Sequence, residues 1–335
     1  MHNSNHLLTL DEIVDLQQQS LSLSFDAYPS RASLAELDTQ LMEQFFSSVN
    51  KRGRVALRDD PLTNLVKLKL IREGRVTFAA ALLFGVSDCT IRIGRFKSEA
   101  TIIDDNVVRA PLLLAVEEAL TFIKKHINLS YHFDGSIERK ERWQYPLEAL
   151  RELLLNAVVH RDYKSASDIV IKIFDHRIVF TNPGKLYGKL RVADLERNDY
   201  VSSLRNRLLA EAFYLTGDIE RYGTGFVRVR EFLCDYPEIA LGVEEMGDFF
   251  KAELICTPPI TPPITDTERR ILVLLRDGPT LSSSALAKSL SMHRDTVKEY
   301  LVRLKARGLL IREGSSRAGR WLLTDVARTA LAEAG

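Results

Sequence analysis

The sequence predicts an α/β fold in two parts, a mixed α+β body and a small C-terminal domain of three helices and a two-stranded ribbon. In the body, amphipathic helical patterns are interspersed with short runs rich in β-branched residues. Four of the eleven prolines lie within residues 256–265, which is typical of a short, semi-rigid linker. After the linker, residues 264–335 carry 13 Lys and Arg against 8 Asp and Glu, although the whole chain has a net charge of only +1.

Composition excludes several classes of protein. Hydrophobic residues make up 45% and charged residues 27% of the 335 residues, as in ordinary globular proteins. Cys89, Cys234 and Cys256 stand far apart without a CxxC pair, which excludes a cysteine-rich zinc module and argues against a disulfide scaffold. No apolar run reaches the roughly 18 residues of a membrane span, and the first residues lack a signal-peptide pattern. We therefore expect a cytoplasmic protein that does not contact a membrane.

The first part of the body is predicted to be mainly helical. Patterns of apolar residues predict helices over 10–19 and 33–49, and Pro61 is typical of the first position of a third helix. The apolar run 76–85 fits either a buried helix or a buried strand, whereas the alternation over 90–96 predicts a strand.

The second part of the body mixes helices and strands. A long amphipathic helix is predicted over 110–127, and Pro146 begins the next helix. Two β-rich runs joined at Asp175–Arg177 predict a hairpin. The remaining elements are predicted as helices at 202–214 and 225–233 and a last strand at 249–256.

The helix that begins at Pro146 carries three polar side chains on one face. Glu152, Asn156 and His160 are spaced i, i+4 and i+8, and nearly all residues between them are apolar. A carboxylate and an amide one turn apart suit a magnesium-phosphate site, in which the amide oxygen ligates the cation and the carboxylate activates a water. The alternative is a solvated stripe on an amphipathic helix.

Two glycine-bearing loops follow the hairpin, at 180–186 and 220–230. Gly223 and Gly225 directly precede a predicted helix, whose free N–H groups can bind phosphate. The alternative is a simple turn at the start of a helix. The sequence contains no GxxxxGK[ST] motif, which excludes a P-loop nucleotide site and a helicase motor of that kind.

These elements in this order resemble the Bergerat-type ATP-binding α/β sandwich of gyrase-like ATPases, Hsp90-type chaperones, histidine kinases and MutL-type repair proteins. More narrowly, the sequence resembles a bacterial and archaeal family of transcriptional regulators with a divergent histidine-kinase-like (GHKL) ATPase domain and a terminal winged helix. The resemblance is carried by ALRELLLNAVVHRDY, IFDHRIVFTNPGKL and LRNRLLAEAFYLTGDIERYGTGF and covers most of residues 30–256. Longer members begin with a Schlafen-like domain, and the resemblance implies that this sequence starts where that domain ends.

The resemblance implies a role for each polar residue of the helix. Asn156 would ligate magnesium, and Glu152 would activate water if ATP is hydrolysed. His160 would either contact a phosphate or cap the helix.

The resemblance also implies roles for residues in three later segments. Asn182 and Gly184 would form the adenine-side loop, where the broader superfamily carries an aspartate in place of Asn182. The amide oxygen could accept a hydrogen bond from the adenine amino group, but without a charge. Arg205 lies in the segment that corresponds to the ATP lid. It would contact a phosphate or be an exposed helix arginine. The phosphates would be cradled by Gly223, Thr224 and Gly225.

The C-terminal domain has the pattern of a winged helix-turn-helix. Three helices are predicted, the first capped by Asp266 or Thr267, followed by a ribbon. The third helix turns Val297 inward, and residues on its other side would reach DNA bases and phosphates. The alternative is a protein-binding module. The predicted DNA-contacting residues are His293, Arg294, Thr296, Lys298, Arg303, Lys305, Arg317 and Arg320.

Together these patterns predict an ATP-binding transcriptional regulator that binds double-stranded DNA, forms a homodimer, and changes conformation or assembly with nucleotide. One alternative is a scaffold that has lost nucleotide binding and serves for dimerisation, and another is a DNA-dependent ATPase. The predicted parts are an N-terminal α+β segment at 1–130, an ATP-binding domain at 131–256, a linker at 257–264 and a winged helix at 265–335.

Overall fold

The computed structural model describes most of the chain as two compact units, one up to Cys256 and one from Thr257. Each unit is considered by itself. The described residues are 23–85, 89–132, 140–198, 200, 203–220, 223–257, 264–313, 319–324, 327–328 and 330–331.

The first unit contains helices, strands and two short 3-10 turns. The helices are α1 (Thr39–Arg52), α2 (Pro61–Lys67), α3 (Phe78–Phe84), α4 (Leu112–His126), α5 (Leu147–His160), α6 (Val192–Glu196), α7 (Arg207–Thr216) and α8 (Gly225–Leu233). The strands are β1 (Ile71–Arg72), β2 (Arg75–Val76), β3 (Ile91–Ser98), β4 (Thr101–Val108), β5 (Leu129–His132), β6 (Lys140–Trp143), β7 (Ile169–Ile173), β8 (Arg177–Pro183), β9 (Ile239–Met246) and β10 (Phe249–Cys256). The 3-10 turns are Phe25–Ala27 and Leu34–Glu36.

Six of the strands form one mixed sheet in the order β4-β3-β7-β8-β10-β9. All neighbours are antiparallel except β3 and β7, which run parallel with Ile91 opposite Ile169. Strands from both sides of residue 130 share this sheet, so the predicted boundary at 130 lies inside one compact unit. Helices α4 and α5 pack on each other and contact β3 and β8, which places α5 above the hairpin.

Several predicted elements of the body are confirmed. The β7–β8 hairpin pairs Ile173 with Ile178, and β3, β10 and α8 lie where the patterns predict them. Most of the ambiguous run 76–85 is the helix α3, which begins at Phe78 because the Thr77 side chain accepts a 3.3 Å hydrogen bond from the backbone N–H of Ala80.

Two helix predictions are wrong in their bounds. The helix expected over 33–49 is a 3-10 turn followed by α1, because Asp38 caps α1 by accepting a 2.9 Å hydrogen bond from the backbone N–H of Leu41. The helix expected from 202 begins at Arg207, where the buried carboxylate of Asp26 accepts from the backbone N–H of Leu209 at 2.8 Å. The helix predicted over 10–19 lies outside the described residues.

The second unit has the three helices and ribbon that the sequence predicts. Its elements are α9 (Asp266–Asp277), α10 (Ser283–Leu290), α11 (Arg294–Ala306), β11 (Leu310–Glu313) and β12 (Arg320–Leu323). Thr265, rather than Asp266 or Thr267, caps α9 through a capping box with Glu268. The carboxylate of Glu268 is buried and pairs with Arg307 at 2.6 Å. Throughout the described part of the chain, no helix combines the length and apolarity needed to cross a membrane.

Candidate functional site

A cleft opens between α5, the end of β8 and the start of α8. About 1030 Å³ of space free of protein atoms lies within it, including its open mouth. The cleft brings together seven of the residues predicted from the sequence, namely Glu152, Asn156, His160, Asn182, Gly184, Gly223 and Gly225. Thr224 lies between the two glycines as the residue before α8. Much of the remaining wall is apolar, with Phe180, Phe226 and Phe250 among its residues.

Glu152 and Asn156 lie one above the other on the face of α5 that lines the cleft. Glu152 is only 5% exposed, and the Asn156 side-chain amide lies 3.5 Å from its Oε1. The guanidinium of Arg228, on α8, lies 3.3 Å from Oε2 of Glu152. Burial raises the pKa of Glu152 above its ordinary value, and the charge of Arg228 and the amide of Asn156 oppose that rise. The carboxylate is therefore held inside the protein by a countercharge.

The first residue of α8 touches this pair directly. A Cβ at Gly225 would lie 2.8 Å from Oε1 of Glu152 and 3.0 Å from the amide nitrogen of Asn156. The absence of a side chain therefore allows the N-terminus of α8 to approach the polar face of α5. Thr224 makes no side-chain cap to α8, so the side chain that precedes the helix leaves its first N–H groups without that partner.

The other end of the cleft contains a buried polar atom. Asn182 is 5% exposed, and its Oδ1 has no hydrogen-bond partner within the described residues. Asn182 lies in β8, opposite Phe250 of β10, whereas the sequence comparison suggested a loop. Gly184 directly follows the strand with φ of +104°, and its N–H donates to the Asp248 carbonyl at 2.8 Å. A Cβ there would lie 2.9 Å from that of Asp162, so this turn is closely packed.

The end of α5 is capped by Asn206. Its fully buried amide donates 2.8 Å hydrogen bonds to the carbonyl oxygens of Val159 and Arg161. The helix-capping role considered for His160 is therefore performed by Asn206. His160 is the last residue of α5, and burial, together with the nearby charge of Arg205, lowers its pKa to about 4. The imidazole is neutral at pH 7, which makes it a poor electrostatic partner for phosphate.

Arg205 contacts the loop after β8. Its guanidinium donates to the Lys185 carbonyl at 2.8 Å, lies 3.3 Å from the carboxylate of Asp162, and stacks over the ring of Tyr187 at 5.0 Å. With Asn206 fully buried beside it, this part of the segment packs on α5 and the turn at Gly184 rather than lying loose over the cleft.

The polar groups of the cleft are of the types that could hold a magnesium nucleotide. Among the described residues, Oδ1 of Asn182 is an acceptor without a hydrogen-bond partner, and much of the surrounding cleft wall is apolar. Asn156 lines the same cleft, where only a residue without a side chain fits at position 225. Within the described ranges no group of three or more His, Cys, Asp or Glu could hold a metal ion. Magnesium is nevertheless commonly bound through one or two protein oxygens together with the phosphates. Asn156 would be the protein ligand here, and Asn182 would meet the base.

Six of the eight predicted DNA-contacting residues are exposed on the second unit. Val297, Leu301 and Leu304 of α11 are buried in its core, as predicted. Thr296 is half-buried, and Arg317 lies outside the described residues. The exposed members of the predicted set are His293, Arg294, Lys298, Arg303, Lys305 and Arg320.

The outward face of α11 is not uniformly basic. At 100° per residue, the side of the helix opposite the buried residues carries Glu299 and Val302, with Arg294, Lys298 and Lys305 along one flank. Val302 is 70% exposed, which is unusual for an aliphatic residue. Lys298 is paired with Asp295 at 2.7 Å, and Arg320 with Glu313 at 2.6 Å.

Sequence reasoning missed the charged partners that connect the elements of the cleft. Arg228 contacts Glu152, and Asp162 contacts Arg205. In each pair the two residues come from different parts of the chain. Arg228 and Asp162 both stand in or beside the motifs that were singled out, in HRDY and GTGFVRVR. Their charge was the available signal, and only the fold could say which residue each one faces.

One segment in each unit of the chain matches a known protein family. Residues 166–254 match the family model described as "Putative ATP-dependent DNA helicase recG C-terminal", and residues 263–320 match the MarR family. No curated protein matches. The crystal structure of the DIP2311 protein from Corynebacterium diphtheriae is similar over 95% of this chain and 68% of that chain, with 19% identity and a TM-score of 0.59. At that identity the likeness concerns the fold alone.

A second solved structure, that of the MarR family transcription regulator SP03579, covers 21% of this chain and 48% of that chain. Its identity is 25% and its TM-score is 0.20, too low to indicate a shared fold. The family match to residues 263–320 is therefore what identifies the C-terminal unit as MarR-like. Two segments of the chain are thus similar to a histidine-kinase-like ATPase domain and to a MarR family winged helix, and this arrangement matches the architecture of the regulator family that the sequence resembles.

Proposed function

We propose that this chain is a DNA-binding regulator whose first unit binds ATP with magnesium and whose DNA binding responds to that nucleotide. The observation that carries the proposal is the buried Oδ1 of Asn182, which has no hydrogen-bond partner in the described part of the chain and lies in the same cleft as Glu152, Asn156 and Gly225. A buried acceptor without a partner is costly in free energy unless a ligand or water satisfies it.

Each part of the cleft matches one part of the nucleotide. The amino group of adenine would donate to Asn182, beside the ring of Phe250. Phosphates would lie at the start of α8, where Gly223 and Gly225 permit close approach and the helix dipole favours anions. Asn156 would supply the protein oxygen ligand for magnesium bound together with the phosphates.

The exposed basic residues of α11 support DNA as the partner of the second unit. Arg294, Lys298 and Lys305 lie along one flank of the helix that a winged helix-turn-helix inserts into the major groove. Nucleotide could alter DNA affinity only by binding more tightly to one conformation or assembly of the protein than to another. A homodimer would supply such an assembly.

A scaffold that has lost nucleotide binding is the second candidate. The ion pair between Glu152 and Arg228 favours it, because it already satisfies the charge of the carboxylate without any ligand. The two candidates differ in whether the cleft binds nucleotide at all.

Calorimetric titration of the full chain with ATP and magnesium tests the proposal. We expect micromolar binding by the wild type that Asn156→Ala and Asn182→Leu each weaken by about tenfold or more. Asn106→Ala is the matched control, because Asn106 is exposed on β4 and bonds its side chain to Val107. Absence of binding by a folded wild type would contradict the ATP proposal and favour the scaffold.

A further inference from the structure

Arg228 is placed between the buried carboxylate of Glu152 and the solvent. It lies in the first turn of α8, where its backbone N–H donates to the Thr224 carbonyl at 2.8 Å. Its Nη1 is 3.3 Å from Oε2 of Glu152. The Arg228 side chain is 32% exposed, whereas that of Glu152 is 5% exposed. The Nη1 of Arg228 therefore faces Glu152, while the partly exposed side chain can meet a solute.

The carboxylate of Glu152 depends on this arginine. Among the described residues, Arg228 is the partner with which Glu152 forms an ion pair. The amide of Asn156 adds a longer contact of 3.5 Å, and Glu220, which lines the same cleft, has a charge of the same sign as Glu152. An ionised carboxylate with so little exposure is costly in free energy without a nearby cation.

The position of Arg228 also suits a phosphate. It belongs to the first turn after the Gly223–Gly225 loop, and its guanidinium pairs with Glu152, which lines the cleft together with Gly225. An anion at the start of α8 would therefore lie near its positive charge. A guanidinium has five N–H donors and binds carboxylate and phosphate oxygens in the same planar, forked geometry. An anionic phosphate and Glu152 would therefore compete for, or share, the donors of Arg228.

We propose that Arg228 binds the phosphate chain of a nucleoside triphosphate and thereby loosens its hold on Glu152. This inference rests on the proposed nucleotide binding and adds to it the group that senses the phosphates. In the absence of phosphate the ion pair holds Glu152 against Arg228. With phosphate bound, the arginine donates to the ligand and the carboxylate becomes free to accept a hydrogen bond from water.

Separate titrations with ATP, ADP and adenosine test this inference on the full chain. We expect Arg228→Gln to weaken ATP binding by about tenfold or more and to leave adenosine binding unchanged, because adenosine carries no phosphate. Glu152→Gln should keep or strengthen ATP binding, since it removes the competing carboxylate. Arg228→Lys should retain part of the affinity by keeping a single cation.

Arg230→Gln is the matched control. It removes the same charge from the same helix, but the Arg230 guanidinium contacts Asn198, 2.6 Å away, rather than Glu152. If Arg228→Gln leaves a lone buried carboxylate that prevents folding, the double variant Glu152→Gln/Arg228→Gln removes both charges. The Kd of the double variant for ATP should be about tenfold or more higher than that of Glu152→Gln alone.

The possible failures can be told apart. Equal ATP binding by Arg228→Gln and wild type would overturn the role of Arg228 while leaving nucleotide binding intact. Equal weakening of ATP and adenosine would also overturn it, because that result indicates general damage to the cleft. A folded wild type that binds neither ligand would overturn the proposed function and this inference together.

Discussion

A side chain at position 225 would lie 2.8 Å from Oε1 of Glu152, so Gly225 and Glu152 fix how closely α8 approaches α5. The same Cβ at position 225 would lie 3.0 Å from the amide nitrogen of Asn156. The glycine is required here by close approach and not by its backbone angle, because its φ is not positive. The polar pair on α5 and the start of α8 therefore form one packed structure.

Gly225→Ala should disturb that structure. The added methyl group must displace the buried carboxylate or the helix, so we expect a loss of about 1–3 kcal/mol in the free energy of unfolding, together with weaker ATP binding. Urea denaturation and calorimetry measure the two effects. Gly247→Asn is the control, since Gly247 has open space around it and Asn tolerates its φ of +57°. Unchanged stability of Gly225→Ala would show that the contact is looser than the structure describes.

Asn206→Ala should destabilise the first unit. The substitution leaves the carbonyl oxygens of Val159 and Arg161 without their 2.8 Å hydrogen bonds. We expect a loss of about 1–3 kcal/mol in the free energy of unfolding, because these groups are buried with Asn206. Denaturant unfolding measures the loss, with the exposed Asn106→Ala as the reference. A loss no larger than that of Asn106→Ala would mean that water replaces the amide.

The pH dependence of stability should contain a contribution from His160. Its pKa is lowered to about 4 by burial and by the charge of Arg205. Below the unfolded value of about 6.5 the unfolded chain binds a proton that the folded chain does not, so stability falls as the pH decreases from 6.5 towards 4. The contribution should reach about 2 kcal/mol at about pH 5.

His160→Gln removes this contribution. Denaturant unfolding of the variant and the wild type between pH 7.5 and 5 measures the difference. The variant should lose less stability over that interval than the wild type or His176→Gln, whose imidazole is exposed. Parallel pH profiles for all three proteins would show that His160 is protonated in the folded state.

The DNA interface should depend on the flank of α11. Lys305→Ala should weaken binding to all duplex sequences and should reduce the slope of log affinity against log salt by about 0.9, as expected for the loss of one phosphate contact. Fluorescence anisotropy over a salt series measures that slope. Lys97→Ala is the control, because it removes an exposed lysine from the first unit. An unchanged slope for Lys305→Ala would show that Lys305 does not contact a DNA phosphate.

Local sequence patterns predicted the parts of the site that depend on one helix or one turn. The i, i+4 spacing of Glu152 and Asn156 was enough to place both on one face of α5, because helical geometry alone determines it. Arg228 could not be assigned to Glu152 in this way, since their contact depends on how α8 packs on α5. Asn182 was expected in a loop, but pairing with Phe250 of β10 extends β8 past it.

Strands with a clear alternation of apolar residues were also predictable from the sequence, whereas a strand placed by its pairing was not. Alternating apolar residues identified β3 and β7, whose inward side chains are buried. Strand β4 was missed because its sequence, TIIDDNVV, does not alternate, and it lies at the edge of the sheet with Ile102 exposed. Its place is determined by pairing with β3 rather than by its own pattern.

The effect of nucleotide on DNA affinity tests the central claim most directly. The measurement is the Kd of the full chain for a duplex that the wild type selects from a random library, with and without saturating ATP and magnesium. We predict a change of about fivefold or more in the wild type, absent in Asn156→Ala, and an equal change in ATP affinity when DNA is present. The same Kd in both conditions, for a wild type that does bind ATP, would contradict the account.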